Sequence, residues 1–338
     1  DAVWAGSFAI SATHALPDAS ILTMTEFLDA TSRMVEACNI PIIADCDTGY
    51  GGPSNVSHLV KKYENAGVAT ICIEDKIFPK ENSLLEDGKN DLLPEKEFVA
   101  KILAAKEAKQ DDAFMIIARI EALISGAGIN EALKRATAYE KAGADAILIH
   151  SKQRTPKEVF EFVNKWDGNI PIVVVPTTYD SVKISDLINH KIRMIIFANQ
   201  TLRTSHLAMS KLLKEMLSSE SISDVSQEMS DMEDIFKLQE MYEHKSREGK
   251  IEEELKKMVS SMKSGVKGKV AYNDLDPELQ SKLSGQVKTT LTLTTPYTKG
   301  SGKTMVESQI MRPLFQKLLS DFVARNNAYL YGGAGTGK

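Results

Sequence analysis

The 338-residue sequence has few cysteines, few aromatic residues and no long apolar run. Its three cysteines are Cys38, Cys46 and Cys72. An odd and sparse count gives no disulfide framework and fits a reducing, cytoplasmic setting. No window approaches the roughly 18 consecutive apolar residues of a membrane span, so no membrane partner is expected. Charge of one sign is scarce too. The 41 Lys and Arg stand against 46 Asp and Glu, a net charge of −5, which offers no basic surface for nucleic acid. The opening Asp1-Ala2-Val3-Trp4 lacks the basic segment of a signal peptide and an initiator Met, so the sequence reads as a fragment or a processed chain. Apolar residues make up an ordinary 43%, enough for a sizeable core.

These apolar residues come in short runs with helical segments between them. The strand candidates are residues 3–10, 40–47, 70–75, 114–120, 146–150, 170–176 and 194–199. Most are nearly continuous in Val, Ile, Ala and Leu, as in strands buried on both faces. Residues 53–66 open with Pro and Ser and end at Gly67; residues 129–142 end at Gly143. Pro at the start and Gly at the end mark helices. The junctions Glu64-Asn65-Ala66-Gly67 and Glu140-Lys141-Ala142-Gly143 are nearly alike, which is the helix–Gly–strand rhythm of a βα barrel. The expected fold is α/β, a TIM-type (β/α)8 barrel. Seven strands are found where eight are needed, so the first strand and helix are expected to precede Asp1. An open seven-stranded sheet is the competing arrangement.

The rhythm stops near residue 220, and two regions are expected: a barrel over 1–245 and an extension over 246–338. Residues 232–243 suit one more amphipathic helix, and the highly charged 245–269 a solvated helix or linker. Residues 289–302 read as loop or weak strand and 305–323 as helix. The ending Gly332-Gly333-Ala334-Gly335-Thr336-Gly337-Lys338 follows a short apolar stretch and fits the phosphate-binding pattern G-x-x-x-x-G-K. It stops before the Ser/Thr and the helix that complete such a loop, so no nucleotide function is expected of it. Gly302-Lys303-Thr304 has Tyr297 where that pattern needs Gly.

Polar residues gather where the apolar strands end: Asp45, Asp47, Glu74, Arg119, His150 and Asn199. In a barrel these ends form one rim, which carries the active site. Three carboxylates from two neighbouring strand ends (Asp45, Asp47 and Glu74) suit a hard divalent cation such as Mg2+. Arg119 at a strand end can grip phosphate or carboxylate with two parallel donors. His150 ends its strand on the same rim and is expected to face a ligand. Strand alternation turns Cys46 to the opposite side from its flanking aspartates, which makes it a packing residue. Asp18, after Leu16-Pro17, is placed equally well to cap a helix from Ala19 or to take part in chemistry. Ser7 and Phe8, in the first strand candidate, carry backbone N–H groups able to stabilise an enolate oxygen.

Four stretches together resemble phosphoenolpyruvate mutases, within the phosphoenolpyruvate mutase/isocitrate lyase superfamily: Asp45-Cys46-Asp47-Thr48-Gly49-Tyr50-Gly51, Glu74-Asp75-Lys76-Ile77-Phe78-Pro79-Lys80-Glu81-Asn82-Ser83, Ala118-Arg119-Ile120-Glu121-Ala122 and His150-Ser151-Lys152. The resemblance runs from Trp4 to about Gln239 and includes Asp18. It implies interconversion of phosphoenolpyruvate and phosphonopyruvate with Mg2+. By position, Asp45 would bind Mg2+ directly, with Asp47 and Glu74 holding its water ligands. Arg119 and His150 would hold the phosphoryl group. Trp4 and the backbone at Gly6, Ser7 and Phe8 would receive the pyruvyl end, although the family's small residues are slightly shuffled here. Lys80, Asn82 and Ser83 would lie on a gating loop, with Asn82 near the moving phosphorus, and Asp18 would support catalysis. The resemblance also implies a dimer or tetramer built by exchange of a C-terminal helix. The lyase branch has a Lys-Arg-Cys-Gly-His type loop, where this chain has Pro79-Lys80-Glu81-Asn82-Ser83. Phosphonopyruvate hydrolases tend to have Thr in place of Asn82 and are the nearest alternative. A non-catalytic barrel joined to an ATPase fragment is the other.

Overall fold

The computed structural model describes residues 1–225 and 229–265. Seven strands form one sheet: β1 (Val3–Ala5), β2 (Ile42–Asp45), β3 (Thr70–Glu74), β4 (Met115–Ile120), β5 (Ala146–Ile149), β6 (Ile172–Val174) and β7 (Ile192–Ile195). They lie in sequence order, and every neighbouring pair is parallel. At least one helix follows each strand: α1 (Ser7–Thr13) and α2 (Met24–Ala37) after β1, then α3 (Pro53–Asn65), α4 (Glu95–Ala108), α5 (Gly128–Ala142), α6 (Lys157–Lys165), α7 (Ile184–Asn189) and α8 (Gln200–Ser218). Sequential parallel strands with a helix at each crossover are the α/β wall of a TIM-type barrel. Strands β1 and β7 are its two edges.

Side-chain alternation makes two cores from one set of strands. Ala44, Ile71, Ile73, Ile116, Ala118, Ile147 and Val174 pack outward on Phe98, Tyr139 and Phe162 of the helices. Ile43, Cys72, Ile117, Leu148 and Val173 form a separate inner cluster. The Gly punctuation does what the repeated junctions require. Gly67 and Gly143 both take left-handed backbone, φ 82° and 101°, where a side chain would be strained.

The first strand is shorter than the 3–10 expected. It ends at Ala5, and Ser7 and Phe8 open α1 instead of lying in the strand. The cause is Asp45, whose Oδ2 accepts the Ser7 N–H at 3.4 Å and Oγ–H at 3.0 Å. A carboxylate at a helix start satisfies free N–H groups and suits the helix dipole. Asp18 caps no helix. The next helix, α2, is capped by Thr23 and Glu26 in a reciprocal capping box. The helix over 232–243 is broken into α9 (Met232–Leu238) and the start of α10 (Met241–Gly265), with Glu240 at φ 52° between them. The chain divides into two compact units, Asp1–Met229 and a second from Ser230. In the second, α10 leaves Ile251, Leu255 and Met258 exposed. The readings of 289–302, 305–323 and the terminal Gly332–Lys338 stretch lie outside the described residues.

A buried polar knot joins β3 and β4 to the helix layer. Asp75, turned outward next to inward-facing Glu74, accepts the Glu121 N–H (2.8 Å), the Tyr139 hydroxyl (2.7 Å) and Arg135 Nη1 (3.0 Å). Burial still raises the Asp75 carboxyl to about 6, so these donors only just keep it charged at neutral pH. Replacing Arg135 with Met keeps the stem and removes the charge. Arg135→Met is expected to lower the unfolding free energy by about 3–5 kcal/mol, the cost of breaking a buried pair from one side. Urea unfolding measures this, and a loss under about 1 kcal/mol would show that the knot contributes little.

Candidate active site

The inner face of the sheet runs directly into the site. Counting on by two from Ile43 gives Asp45 and Asp47, and from Cys72 gives Glu74 and Lys76. From Ile117 it gives Arg119 and Glu121, and from Leu148 it gives His150. Register sets these groups side by side, with Asp45 opposite Cys72, Glu74 opposite Arg119, and Arg119 opposite Leu148. Beyond β2 the chain turns sharply, and Asp47 and Tyr50 take left-handed backbone at φ 51° and 55°. That conformation is costly for residues with side chains and persists only when held. Here the Glu74 N–H donates to Asp47 O at 2.7 Å, and the buried Lys101 ammonium donates to Thr48 O at 2.8 Å.

A cavity of about 320 Å³ opens at this rim. Trp4, Gly6, Ser7, Phe8, Asp18, Asp45, Lys80, Asn82, Ser83, Arg119 and His150 all line it. Asp47 and Glu74 are buried and are not among the lining residues. The residues after β3 carry the loop that covers the cavity, and the loop is tied down at several points. Lys80 Nζ lies 2.8 Å from Asp18 and 3.0 Å from Asp47. Asn82 Nδ2 donates to Asp18 Oδ2 at 2.7 Å. Ser83 Oγ–H donates to Glu121 Oε2 at 2.7 Å. Burial alone would make Lys80 a weaker base, but Asp47, Glu74 and Asp18 outweigh it and hold the ammonium firmly charged. For Asp47 the balance differs. Burial, with Asp45 and Glu74 adding to it, outweighs Lys80 and raises the carboxyl to about 6.

Glu121 is the residue that the motif reading passed over as a site residue. Fully buried, it accepts Arg119 Nε at 2.5 Å and lies 2.9 Å from His150 Nδ1 with the same oxygen. Burial opposes its charge, yet Arg119 and His150 keep its carboxyl well below the usual range. Lys76 was missed as well. Its ammonium reaches Ser83 Oγ at 2.9 Å and Glu81 O at 2.5 Å. Both sit two residues beyond a predicted site residue, so the alternation that pointed to Glu74 and Arg119 also pointed to them. Asn199, Arg203 and Thr177 complete the far wall. Arg203 follows Asn199 by one helical turn.

Among the described residues, no group of three His, Cys, Asp or Glu side chains is arranged to hold a metal ion by itself. Asp45 is engaged by Ser7, Asp47 by Lys80 and Glu74 by Arg119 at 3.2 Å. Asp47 Oδ1 and both Glu74 oxygens meet these cations, with Lys76 at 3.7 Å from Glu74 Oε1, yet none accepts a well-directed hydrogen bond, so buried acceptor capacity remains that a cation or its waters can take up.

A parallel α/β barrel wall whose C-terminal rim gathers acids, an Arg and a His under a tied-down loop defines a TIM-type enzyme. Comparison with known proteins narrows the class. The family model described as phosphoenolpyruvate phosphomutase matches residues 1–217, and the chain belongs to that family. It is 42% identical over 237 residues to a phosphoenolpyruvate phosphomutase of Tetrahymena pyriformis, covering 70% of this chain and 79% of that one. It is also 42% identical over 238 residues to a phosphonopyruvate hydrolase of Variovorax sp. (strain Pal2), covering 70% and 82%. Among solved structures, phosphoenolpyruvate phosphomutase from Streptomyces platensis subsp. rosaceus superposes with TM-score 0.73 at 43% identity, over 74% of this chain and 87% of that one. A phosphonopyruvate hydrolase in complex with oxalate and Mg2+ gives 0.69 at 38%, over 73% and 86%.

Cys46 lies in the outer core, fully buried, and burial raises its thiol well above the ordinary range. It is therefore no nucleophile. Native-state alkylation with iodoacetamide is expected to label Cys38, the partly exposed thiol, and to leave Cys46 and Cys72 unmodified. Labelling of Cys46 as fast as Cys38 in a peptide map would contradict this.

Proposed function

We propose that the chain is a phosphoenolpyruvate mutase, an isomerase that moves phosphorus between the enol oxygen and C3 of pyruvate and so makes or breaks a carbon–phosphorus bond. The observation that carries this reading is Asn82. Its carboxamide lines the cavity, with Nδ2 on Asp18 and Oδ1 accepting the Leu84 N–H at 3.0 Å. In the forward direction the P–O bond of phosphoenolpyruvate breaks, leaving an enolate and a metaphosphate-like group, and C3 then bonds to the same phosphorus. No other reactant enters. The protein must therefore keep the phosphoryl group in place and water away from it. Arg119 and His150 face the phosphoryl group, with Glu121 fixing both. The Gly6 and Phe8 backbone face the enolate end, and Ser7, whose N–H and hydroxyl donate to Asp45, holds that carboxylate beside them. Asp18 holds Lys80 and Asn82, and the covering loop excludes water.

Mg2+ fits the donors present. Asp45 would be the direct ligand on the cavity wall, and Asp47 and Glu74, whose ion-paired oxygens accept no well-directed hydrogen bond, would hold its waters. Bound there, the ion would supply charge stabilisation for the enolate. On the same reading the chain works in the cytosol, where its free thiols persist, and assembles as a dimer or tetramer by exchanging a C-terminal helix. In support of that, α8 buries none of its residues and leaves Leu207, Met209, Leu213, Met216 and Leu217 exposed.

Phosphonopyruvate hydrolysis is the second reading, favoured by the equal identity to the hydrolase. Incubation with phosphonopyruvate and Mg2+, followed by phosphorus NMR, separates the two. Phosphoenolpyruvate is expected, whereas phosphate as main product would establish the hydrolase. Asn82→Ala is expected to slow turnover and raise the ratio of phosphate to phosphoenolpyruvate, because water reaches the space the carboxamide fills. An unchanged ratio would remove Asn82 from this role.

A second test concerns Mg2+ and pH. In the folded chain Asp47 holds its proton up to about 6, against an ordinary 3.8. The native state thus binds this proton more tightly than the unfolded one, and the cost of a charged Asp47 grows as pH rises through that window. A cation stabilises the charged form only, so the rise in Tm produced by Mg2+ is expected to be larger near about pH 7.5 than near about pH 5. Equal rises in a thermal-shift series would refute the site.

A further inference from the structure

We infer that Asn199 and Arg203 form a second anion subsite, which binds the phosphorus group of the substrate from the β7 side of the cavity. The inference rests on the proposed substrate class and goes beyond the roles given to Arg119 and His150.

The first observation is charge. Lys80 is matched by Asp18 and Asp47, and Arg119 by Glu121 and Glu74. Each of these cations faces two protein carboxylates. Arg203 lines the same cavity, and among the described residues its side chain has neither an ion pair nor a hydrogen bond. It is the cavity cation whose charge the protein itself does not consume.

The second observation is an orphaned polar group. Asn199 is only 9% exposed and lines the cavity, and its Oδ1 has no hydrogen-bond partner. It stands at the N-cap of the 19-residue α8 yet makes no side-chain cap. Asn at that position ordinarily accepts from the first turn. Here the carboxamide is spared for something else, and a half-turn exchanges its N–H and oxygen ends. The Arg203 N–H donates to Asn199 O at 3.0 Å, so the two residues follow one another along one helix face. The positive end of the helix dipole adds to their pull on an anion.

The third is supply. A phosphoryl or phosphonyl dianion brings three terminal oxygens. On Arg119, Nε and Nη2 are already engaged, and on His150, Nδ1. That leaves the two Nη1 hydrogens and Nε2, with the second Nδ2 hydrogen of Asn82, for three oxygens that can each accept more than one hydrogen bond. Strand β7 lies two strands round the rim from His150, and its extension supplies the shortfall.

Calorimetric titration in Mg2+ with two unreactive probes tests this. Phosphonoacetate carries a phosphonate; oxalate carries only carboxylates. Arg203→Ala is expected to weaken phosphonoacetate by about 10- to 100-fold, the range for a charge-assisted contact, and to leave oxalate unchanged. Asn199→Ala should show the same selectivity with a smaller loss, and Arg203→Lys should recover part of the affinity. Equal loss for both probes, or no loss for phosphonoacetate, overturns the subsite. So does a wild-type chain that binds oxalate and not phosphonoacetate. None of these outcomes depends on turnover, so failure of the mutase reading in the NMR assay is a separate result.

Discussion

Everything at this rim depends on the strict two-residue alternation of strands buried on both faces. The outward residues must pack on helices and the inward ones on each other, so neither face can slip by one position without burying charge in the helix layer. At the C-terminal ends the inward series passes from Ile and Leu to Asp, Glu, Arg and His. The apolar residues below thereby fix the height and direction of each reacting group. Asp75 shows how sharp the rule is. One residue from Glu74, it faces the helices and requires a separate set of donors there.

Within the cavity the decisive quantity is charge balance at low exposure. Buried carboxylates surround two cations, and each group's protonation follows from its neighbours. Glu121 stays charged because Arg119 and His150 outweigh burial. Asp47 is pushed toward neutrality because burial and two nearby acids outweigh Lys80. Two carboxylates of one rim thus carry different tasks: one is a fixed anchor for the phosphoryl clamp, the other a place that a cation can claim.

Much of this was legible in the sequence. The Val- and Ile-rich runs located all the strands, and the Gly67 and Gly143 junctions located the helix ends, because burial on both faces and left-handed backbone leave plain compositional marks. The acidic, Arg and His strand ends came through for the same reason. The first strand was read too long because Ser7-Phe8-Ala9-Ile10 is apolar enough for either state. Its helix is selected by Asp45, 38 positions away, which no local pattern contains. Asp18 was ambiguous until Lys80 and Asn82 were seen to claim it. Glu121 and Lys76 lie inside the motif stretches and follow the alternation rule, but Glu121 meets His150 and Ser83 from other segments, and Lys76 meets Ser83 only once the loop folds back, so their roles show only in the folded chain. Arg203 belongs to α8, for which the sequence reading offers no helix and whose N-cap, Asn199, it places at the end of a strand candidate.

The ties of the covering loop have a consequence for its motion. Lys80 is shared between Asp18 and Asp47, Asn82 rests on Asp18, and Ser83 on Glu121. These anchors lie on three separate segments of the rim, so the loop cannot peel back from one end while the rest stays closed without stranding a buried charge. Withdrawal of Lys80 takes from Asp18 and Asp47 the ammonium they share, next to the further acids Asp45 and Glu74. Opening is therefore a concerted event with a cost set by unmatched charge, and the same cations and anions that shape the reaction also time the exchange of its small molecules with solvent.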